Sequence, residues 1–159
     1  MNSNARAAAS ALLLATILLL AGWLAGRTGA DILPAESYAA NPIDFVTRTE
    51  AMIAASQVGR TAEGMPVVRP PPGDVYVRVR RWEFSPALEL APGQTYRLHL
   101  LSEDVVHSAA IGDAEVLLEP NTVKVVTLKA PATGRVRIQC GEYCGLGHTK
   151  MIGSIEAVP

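Results

Sequence analysis

Residues 7–26 read AAASALLLATILLLAGWLAG, an unbroken apolar run without a charged position. At about 1.5 Å per residue a helix of that length reaches about 30 Å, one hydrocarbon core. Arg6 and Arg27 bracket the run, and Trp23 stands near its far end, where an indole suits a membrane interface. Residues 1–26 are therefore read as a single-pass anchor in the inner membrane, with the rest of the chain on the periplasmic side; a cleaved signal peptide ending near Thr28-Gly29-Ala30 is the alternative. Further on, Asn41-Pro42 before Ile43-Asp44-Phe45 supplies a capping side chain, a proline in the first turn and an acid near the positive end of a helix. Phe45, Val46, Met52 and Ile53 then share a face, which predicts an amphipathic helix over about 42–58 with Gly59 as its stop. That helix either docks on a partner or packs on its own domain. Residues 27–73 as a whole read as a linker, closing in the stiff run Val67-Val68-Arg69-Pro70-Pro71-Pro72-Gly73.

From residue 74 to 159 the period changes to two. Val75, Val77 and Val79 alternate with Tyr76, Arg78 and Arg80, and Pro92-Gly93 turns the chain into Tyr96–Leu101. Val123 to Leu128, Arg135 to Cys140 and Met151 to Val158 continue the pattern. About seven or eight strands in this length predict an all-β fold, a small Greek-key sandwich or barrel. A domain so small buries little core, so a bound metal would add materially to its stability.

Composition narrows the chemistry. Charged residues make up 18% of the 159 and the formal net charge is −1, which excludes a basic nucleic-acid-binding surface. Five acids, Glu103, Asp104, Asp113, Glu115 and Glu119, lie between Leu98 and Val123 with no Lys or Arg among them. They form either a surface that steers a basic cytochrome or an ordinary solvated face.

The two cysteines, Cys140 and Cys144, stand in the run Cys140-Gly141-Glu142-Tyr143-Cys144-Gly145-Leu146-Gly147-His148-Thr149-Lys150-Met151. Val136, Ile138 and Cys140 share one alternation, so Cys140 ends a strand facing the interior. Glycines 141, 145 and 147 argue for a tight loop and against a helix. Two thiols, an imidazole and a thioether form a soft donor set, which selects copper over hard cations. His107, at the end of a neighbouring strand, is the natural second imidazole. Two thiolates, unlike the single one of a blue-copper site, can bridge two copper ions. An electron shared over both metals reorganises its surroundings little, which suits a relay.

The string Cys-x-Glu-x-Cys-Gly-x-Gly-His-x-x-Met over 140–151, preceded by Asp104-Val105-x-His107, resembles the copper A motif of cytochrome c oxidase subunit II. The similarity runs through residues 75–158 and includes Arg81-Trp82-Glu83-Phe84. It implies a cupredoxin domain over 74–159 on one membrane anchor. Cys140 and Cys144 would bridge two coppers, His107 and His148 would bind one each, and Met151 and the Glu142 carbonyl would be weak axial ligands. The Glu142 side chain would be available to magnesium. The implied role is accepting electrons from cytochrome c, with Trp82 as the receiving residue, and passing them to a haem in subunit I within a complex of oxidase subunits. The chain would be a non-catalytic, electron-transferring part of an oxidoreductase. Trp-x-Trp of the family has become Trp82-x-Phe84, and its Pro-Gly turn is Pro120-Asn121.

Other readings have their own signatures. A Cys140–Cys144 disulfide suits an oxidising compartment but leaves the His and Met spacing without a purpose. A zinc site would not need Met151. The matching subunit of a copper-containing nitric oxide reductase shares every ligand, and a copper-delivery protein or single-copper carrier would need an exchangeable or mononuclear site. His99 alternates with Leu98 and Leu100 and is expected on the outer face beside Arg97, away from any metal.

Overall fold

The computed structural model describes residues 3–25 and 32–159. Helix α1, Ser3–Ala25, contains the window Ala5–Leu24, which is long and apolar enough to cross a membrane; the side chains described along it are all exposed. The remaining described residues build two packed β-sheets flanked by a helix, α2 (Pro42–Ser56). The first sheet runs, edge to edge, through Ile32–Ala39 (β1), Thr122–Lys129 (β10), Thr95–Ser102 (β7), Gly73–Arg80 (β4) and Glu83–Ser85 (β5). The second runs through Gln57–Arg60 (β2), Pro66–Val68 (β3), Ala87–Leu90 (β6), Ile152–Ala157 (β12), Arg135–Gln139 (β11), His107–Ile111 (β8) and Ala114–Leu118 (β9).

The strands alternate as expected where one face meets the other sheet. Val75, Val77 and Val79 are fully buried, and across from them lie Leu88, Leu90, Ile138 and Ile155. Parallel pairing of β4 with β7 and of β6 with β12, among otherwise mostly antiparallel neighbours, gives the crossed connections of a Greek key. The all-β expectation holds, and the fold is that of the cupredoxins.

Residues 32–73, the described part of the expected linker, do not behave as one; the alternative cleavage site at Thr28-Gly29-Ala30 lies outside the described residues. Strand β1 pairs antiparallel with β10 from Ile32↔Leu128 to Ala39↔Thr122, and β2 and β3 extend the second sheet through β6. Of the expected stiff run, Val67 and Val68 belong to strand β3 and Arg69 to Pro72 lies between β3 and β4. At the start of α2 the Asn41 side chain accepts from the Ile43 amide at 2.8 Å. The helix packs on its own domain, mainly on β4 and also on β3 and β2: of its buried residues Phe45, Thr49 and Ile53, four apart, Ile53 joins the main core. Gly59 is not the stop. The helix ends because Gln57 is already extended (φ −66°, ψ 128°) as it enters β2.

Beneath α2 a second small core of Phe45, Leu101, Val123 and Val125 forms on the outer face of the first sheet. His99 lies on that face, as its alternation with Leu98 and Leu100 requires, yet it is only 6% exposed. Tyr38 of β1 and Tyr76 of β4 cover it, and its ring nitrogens meet the Tyr38 hydroxyl at 2.9 Å and Asp74 at 3.0 Å.

Candidate metal centre

At one end of the sandwich, three chain segments converge. Strand β8 begins with His107, β11 delivers Cys140 one residue past its end, and the returning chain supplies Met151 just before β12. The Cys140 amide donates to the Met151 carbonyl at 3.2 Å, closing the base of the loop between them. Within that loop only His148–Lys150 forms a 3₁₀ turn, as its three glycines led us to expect. Gly145 (φ +114°) takes a backbone conformation that side chains disfavour.

Four donors form a chain of contacts. The Cys140 and Cys144 sulfurs lie 3.8 Å apart, unbonded. His107 Nδ1 is 3.8 Å from Cys140 Sγ, and His148 Nδ1 is 3.7 Å from Cys144 Sγ. Two further atoms flank them: Met151 Sδ lies 3.6 Å from Cys144 Sγ, and the Glu142 carbonyl 3.1 Å from Cys140 Sγ. His107, Cys140 and Met151 are almost wholly buried, and the ligand atoms of His107, Cys140 and Cys144 lie within 4.8 Å of one another. The six residues singled out in the sequence, His107, Cys140, Glu142, Cys144, His148 and Met151, are thus brought to one place. Glu142 is exposed and meets the cluster through its backbone oxygen.

The electrostatics suit a soft cation. Burial, then the neighbouring Cys140 thiol, pushes the Cys144 thiol up to about 11, so without metal it is neutral. A metal must displace the Cys144 proton, and its charge would replace the missing counter-charge in the pocket. His107 donates through Nε2 to Asp104 Oδ1 at 2.8 Å, which leaves Nδ1 as a lone-pair donor facing the sulfurs. Burial works against ionisation of Asp104. Hydrogen bonds from the Arg81 amide, His107, the Val105 amide and the Arg81 side chain outweigh it and hold the carboxyl well below the usual carboxylate range.

Three supports for this site were not read from the sequence. Asp104 orients His107; its place three residues ahead of the imidazole was the available signal. Ser108 Oγ donates to Glu115 at 2.6 Å and accepts from the Gly141 amide at 2.8 Å, fastening the start of the loop to β8. Gly147 seats an indole: a Cβ there would lie 2.3 Å from Trp82 Cδ2. Arg80 pairs with Glu83, so Arg81-Trp82 is a two-residue hairpin tip, and it carries Trp82 onto the loop. Trp82 is 42% exposed, and its Nε1 donates to the Cys144 carbonyl at 3.1 Å. It is a surface residue bonded to the site, not a core aromatic. At Asn121 the backbone is left-handed (φ 64°), so asparagine, which tolerates that conformation, can stand where the family has glycine.

Two curated relatives, both cytochrome c oxidase subunit 2 of Thermus thermophilus, are 32% identical to this chain over 84 residues. The resemblance to cytochrome c oxidase subunit II stands. The matched stretch covers 51% of this chain, 62% of one relative and 50% of the other, so the chain spans little more than half of their length. No family model matches. Among solved structures, a chain of a haem-copper terminal oxidase dimer determined by cryo-electron microscopy aligns over 98% of both chains, with 21% identity and a TM-score of 0.52. A rusticyanin variant aligns over 79% of this chain and all of its own, with 16% identity and a TM-score of 0.52. Both likenesses are of fold, and both agree with the two-sheet architecture.

Proposed function

We propose that the chain is the membrane-anchored, electron-accepting subunit II of a haem-copper terminal oxidase. It takes electrons from a cytochrome c at Trp82 and passes them, through a binuclear copper A centre, to the haem of subunit I on the outer side of the inner membrane. Residues 3–25 are its anchor and the two-sheet body its copper domain. The observation that carries the reading is the sulfur pair, 3.8 Å apart, with an imidazole Nδ1 beyond each sulfur. Two thiolates between two imidazoles would offer each of two metals two sulfurs and one nitrogen; a lone blue copper would not use the second thiolate, and a tetrahedral zinc would not use Met151 or the Glu142 carbonyl beside them.

Bound there, two copper ions would supply a one-electron carrier with the charge shared over both. The chain's own residues do the rest. Cys140 and Cys144 would hold the ions through their sulfurs, with His107 and His148 as the imidazole ligands. Met151 and the Glu142 carbonyl would be weak further ligands, and Asp104 holds the His107 tautomer. The exposed Glu142 carboxylate is the group that the resemblance assigns to magnesium. Trp82 links solvent to Cys144 through one hydrogen bond.

The test is reconstitution of the full chain with copper, followed by metal analysis and electron paramagnetic resonance. Two coppers per chain and a hyperfine pattern from one electron shared by two nuclei are expected, and Cys140→Ser should abolish that pattern. One copper with single-nucleus splitting, or survival of the shared pattern in Cys140→Ser, would overturn the binuclear reading.

A further inference from the structure

The resting place of the electron donor can be narrowed from the charges around Trp82. Beside the indole opens a cleft of about 670 Å³ whose lining includes Arg135, Arg137, Lys150 and Ile152 together with the acids Glu63 and Glu83. Arg135 is paired with Glu156 at 3.0 Å, and Glu83 with Arg80 at 2.6 Å. Among the described residues no ion pair engages Arg137, Lys150 or the acid Glu63. Two cations against one acid therefore adjoin the exposed indole, and Ile152, 44% exposed, gives the cleft an apolar edge.

The acids that crowd the sequence between Leu98 and Val123 are largely engaged elsewhere. Glu103 pairs with Arg78 at 3.0 Å, Asp104 with Arg81 and His107, and Glu115 accepts from Ser108. Glu142, exposed on the copper loop, does not line the cleft. Resting on the reading that electrons arrive at Trp82, we infer that the donor docks in this cleft with an acidic face, its carboxylates meeting Arg137 and Lys150 while an apolar rim covers Trp82 and Ile152. Unpaired cations at the margin of such a contact act mainly on the association rate and on its salt dependence.

The charge of the cleft can be read without copper. The full chain, metal-free with reduced thiols in zwitterionic micelles, is isotope-labelled for magnetic resonance and titrated with hexacyanochromate(III), a redox-inert paramagnetic trianion. The zinc-loaded chain gives the same readout should the metal-free loop prove unsettled. Selective broadening of the Trp82 indole N–H and the Arg137, Lys150 and Ile152 amides is expected. With the anion about 10 Å from both cations, the R137Q/K150Q variant should bind it about twentyfold more weakly at ~0.01 M ionic strength and only about threefold at ~0.15 M. Equal broadening by the trication tris(ethylenediamine)chromium(III), or undiminished binding by the variant, overturns the inference.

The copper-loaded chain separates this from the parent reading. An acidic-faced cytochrome c should reduce it faster than a basic-faced one at low salt, and Trp82→Phe should slow both. If Trp82→Phe slows neither, acceptance at Trp82 fails; if it slows both but the basic-faced donor is the faster, the acidic-face inference fails while acceptance at Trp82 stands.

Discussion

Replacing Gly147 by alanine tests the contact that joins the copper loop to the surface indole. Gly147 has an ordinary backbone conformation (φ −90°, ψ 3°), so alanine meets no torsional obstacle there. What it meets is Trp82, whose Cδ2, Cγ and Cε3 would lie 2.3, 2.6 and 2.7 Å from the new Cβ. Ordinary contact begins near 3.4 Å, so the indole must retreat by about 1 Å, which breaks its hydrogen bond to the Cys144 carbonyl. Losing that bond costs about 1 kcal/mol. Crowding costs about 1–3 kcal/mol, and the stiffer unfolded chain returns about 0.4–1. The net is a loss of about 2 kcal/mol, or a fall in Tm of about 4–8 °C for a chain of this size. In a Trp82→Ala background the clash is gone, and the same substitution should become neutral or stabilising by about 0.5 kcal/mol. Thermal unfolding of the four proteins in the double-mutant cycle, followed by near-ultraviolet circular dichroism, measures the coupling. An equal effect of Gly147→Ala in both backgrounds would refute the stacking argument. In the copper-loaded chain the single variant should keep its metal and accept electrons more slowly.

Asp104→Asn removes the acceptor that fixes the His107 tautomer, so copper affinity by competition titration should fall about 10–100-fold; an unchanged affinity would show that His107 is positioned by packing alone. Asp74 is held below the usual carboxylate range chiefly by the hydrogen bond from His99; burial, the next largest effect, opposes it, and electrostatic attraction to His99 and Arg97 adds to the lowering. A carboxyl depressed in the folded state contributes stability above its unfolded value, and that contribution is lost as pH falls through the folded one. Asp74 is 48% exposed, so the amount is under about 1 kcal/mol. Accordingly, the Tm difference between native chain and Asp74→Asn should close as pH drops below about 4, and a difference that widens instead would contradict the sign. Phe45→Ala should cost about 3 kcal/mol, since Phe45 is 3% exposed in the core beneath α2; a loss below about 1 kcal/mol would mean that α2 is an appendage after all.

How much could be read in advance follows from how local each feature is. Cys140, Cys144, His148 and Met151 lie within one loop, so spacing marks them as a donor set, with Glu142 added by the family resemblance, and the alternation of Val136 and Ile138 turns Cys140 inward. His107 comes from a distant strand and was paired to them by its place at a strand end and by the family resemblance. The scaffold was less legible. Strand β1, ILPAESYA, has weak β-forming residues and a register shift between Leu33 and Glu36, spanning the proline that cannot donate to a ladder; β10 makes it a strand. Strands β2 and β3 are four and three residues long, too short to display a period. Strand β8 is likewise hidden: it reads His-Ser-Ala-Ala-Ile, mostly small residues without alternation, and its register is set by β9 and β11.

Charge was the feature for which linear order misled most, because a count along the chain assumes that neighbours in sequence share a surface. Five acids between Leu98 and Val123 look like an acidic patch, yet the cations that neutralise two of them lie on β4 and its hairpin tip. Arg78 reaches Glu103, and Arg81 reaches Asp104, across the parallel pairing that sets β4 beside β7. The same topology leaves Arg137 and Lys150, separated by the whole copper loop in sequence, on one cleft beside Trp82. The field that a donor meets is therefore set by strand order, not by the composition of any segment. The donor's charge should be sought from that cleft outward, with the ionic-strength dependence of association as the measure of its sign.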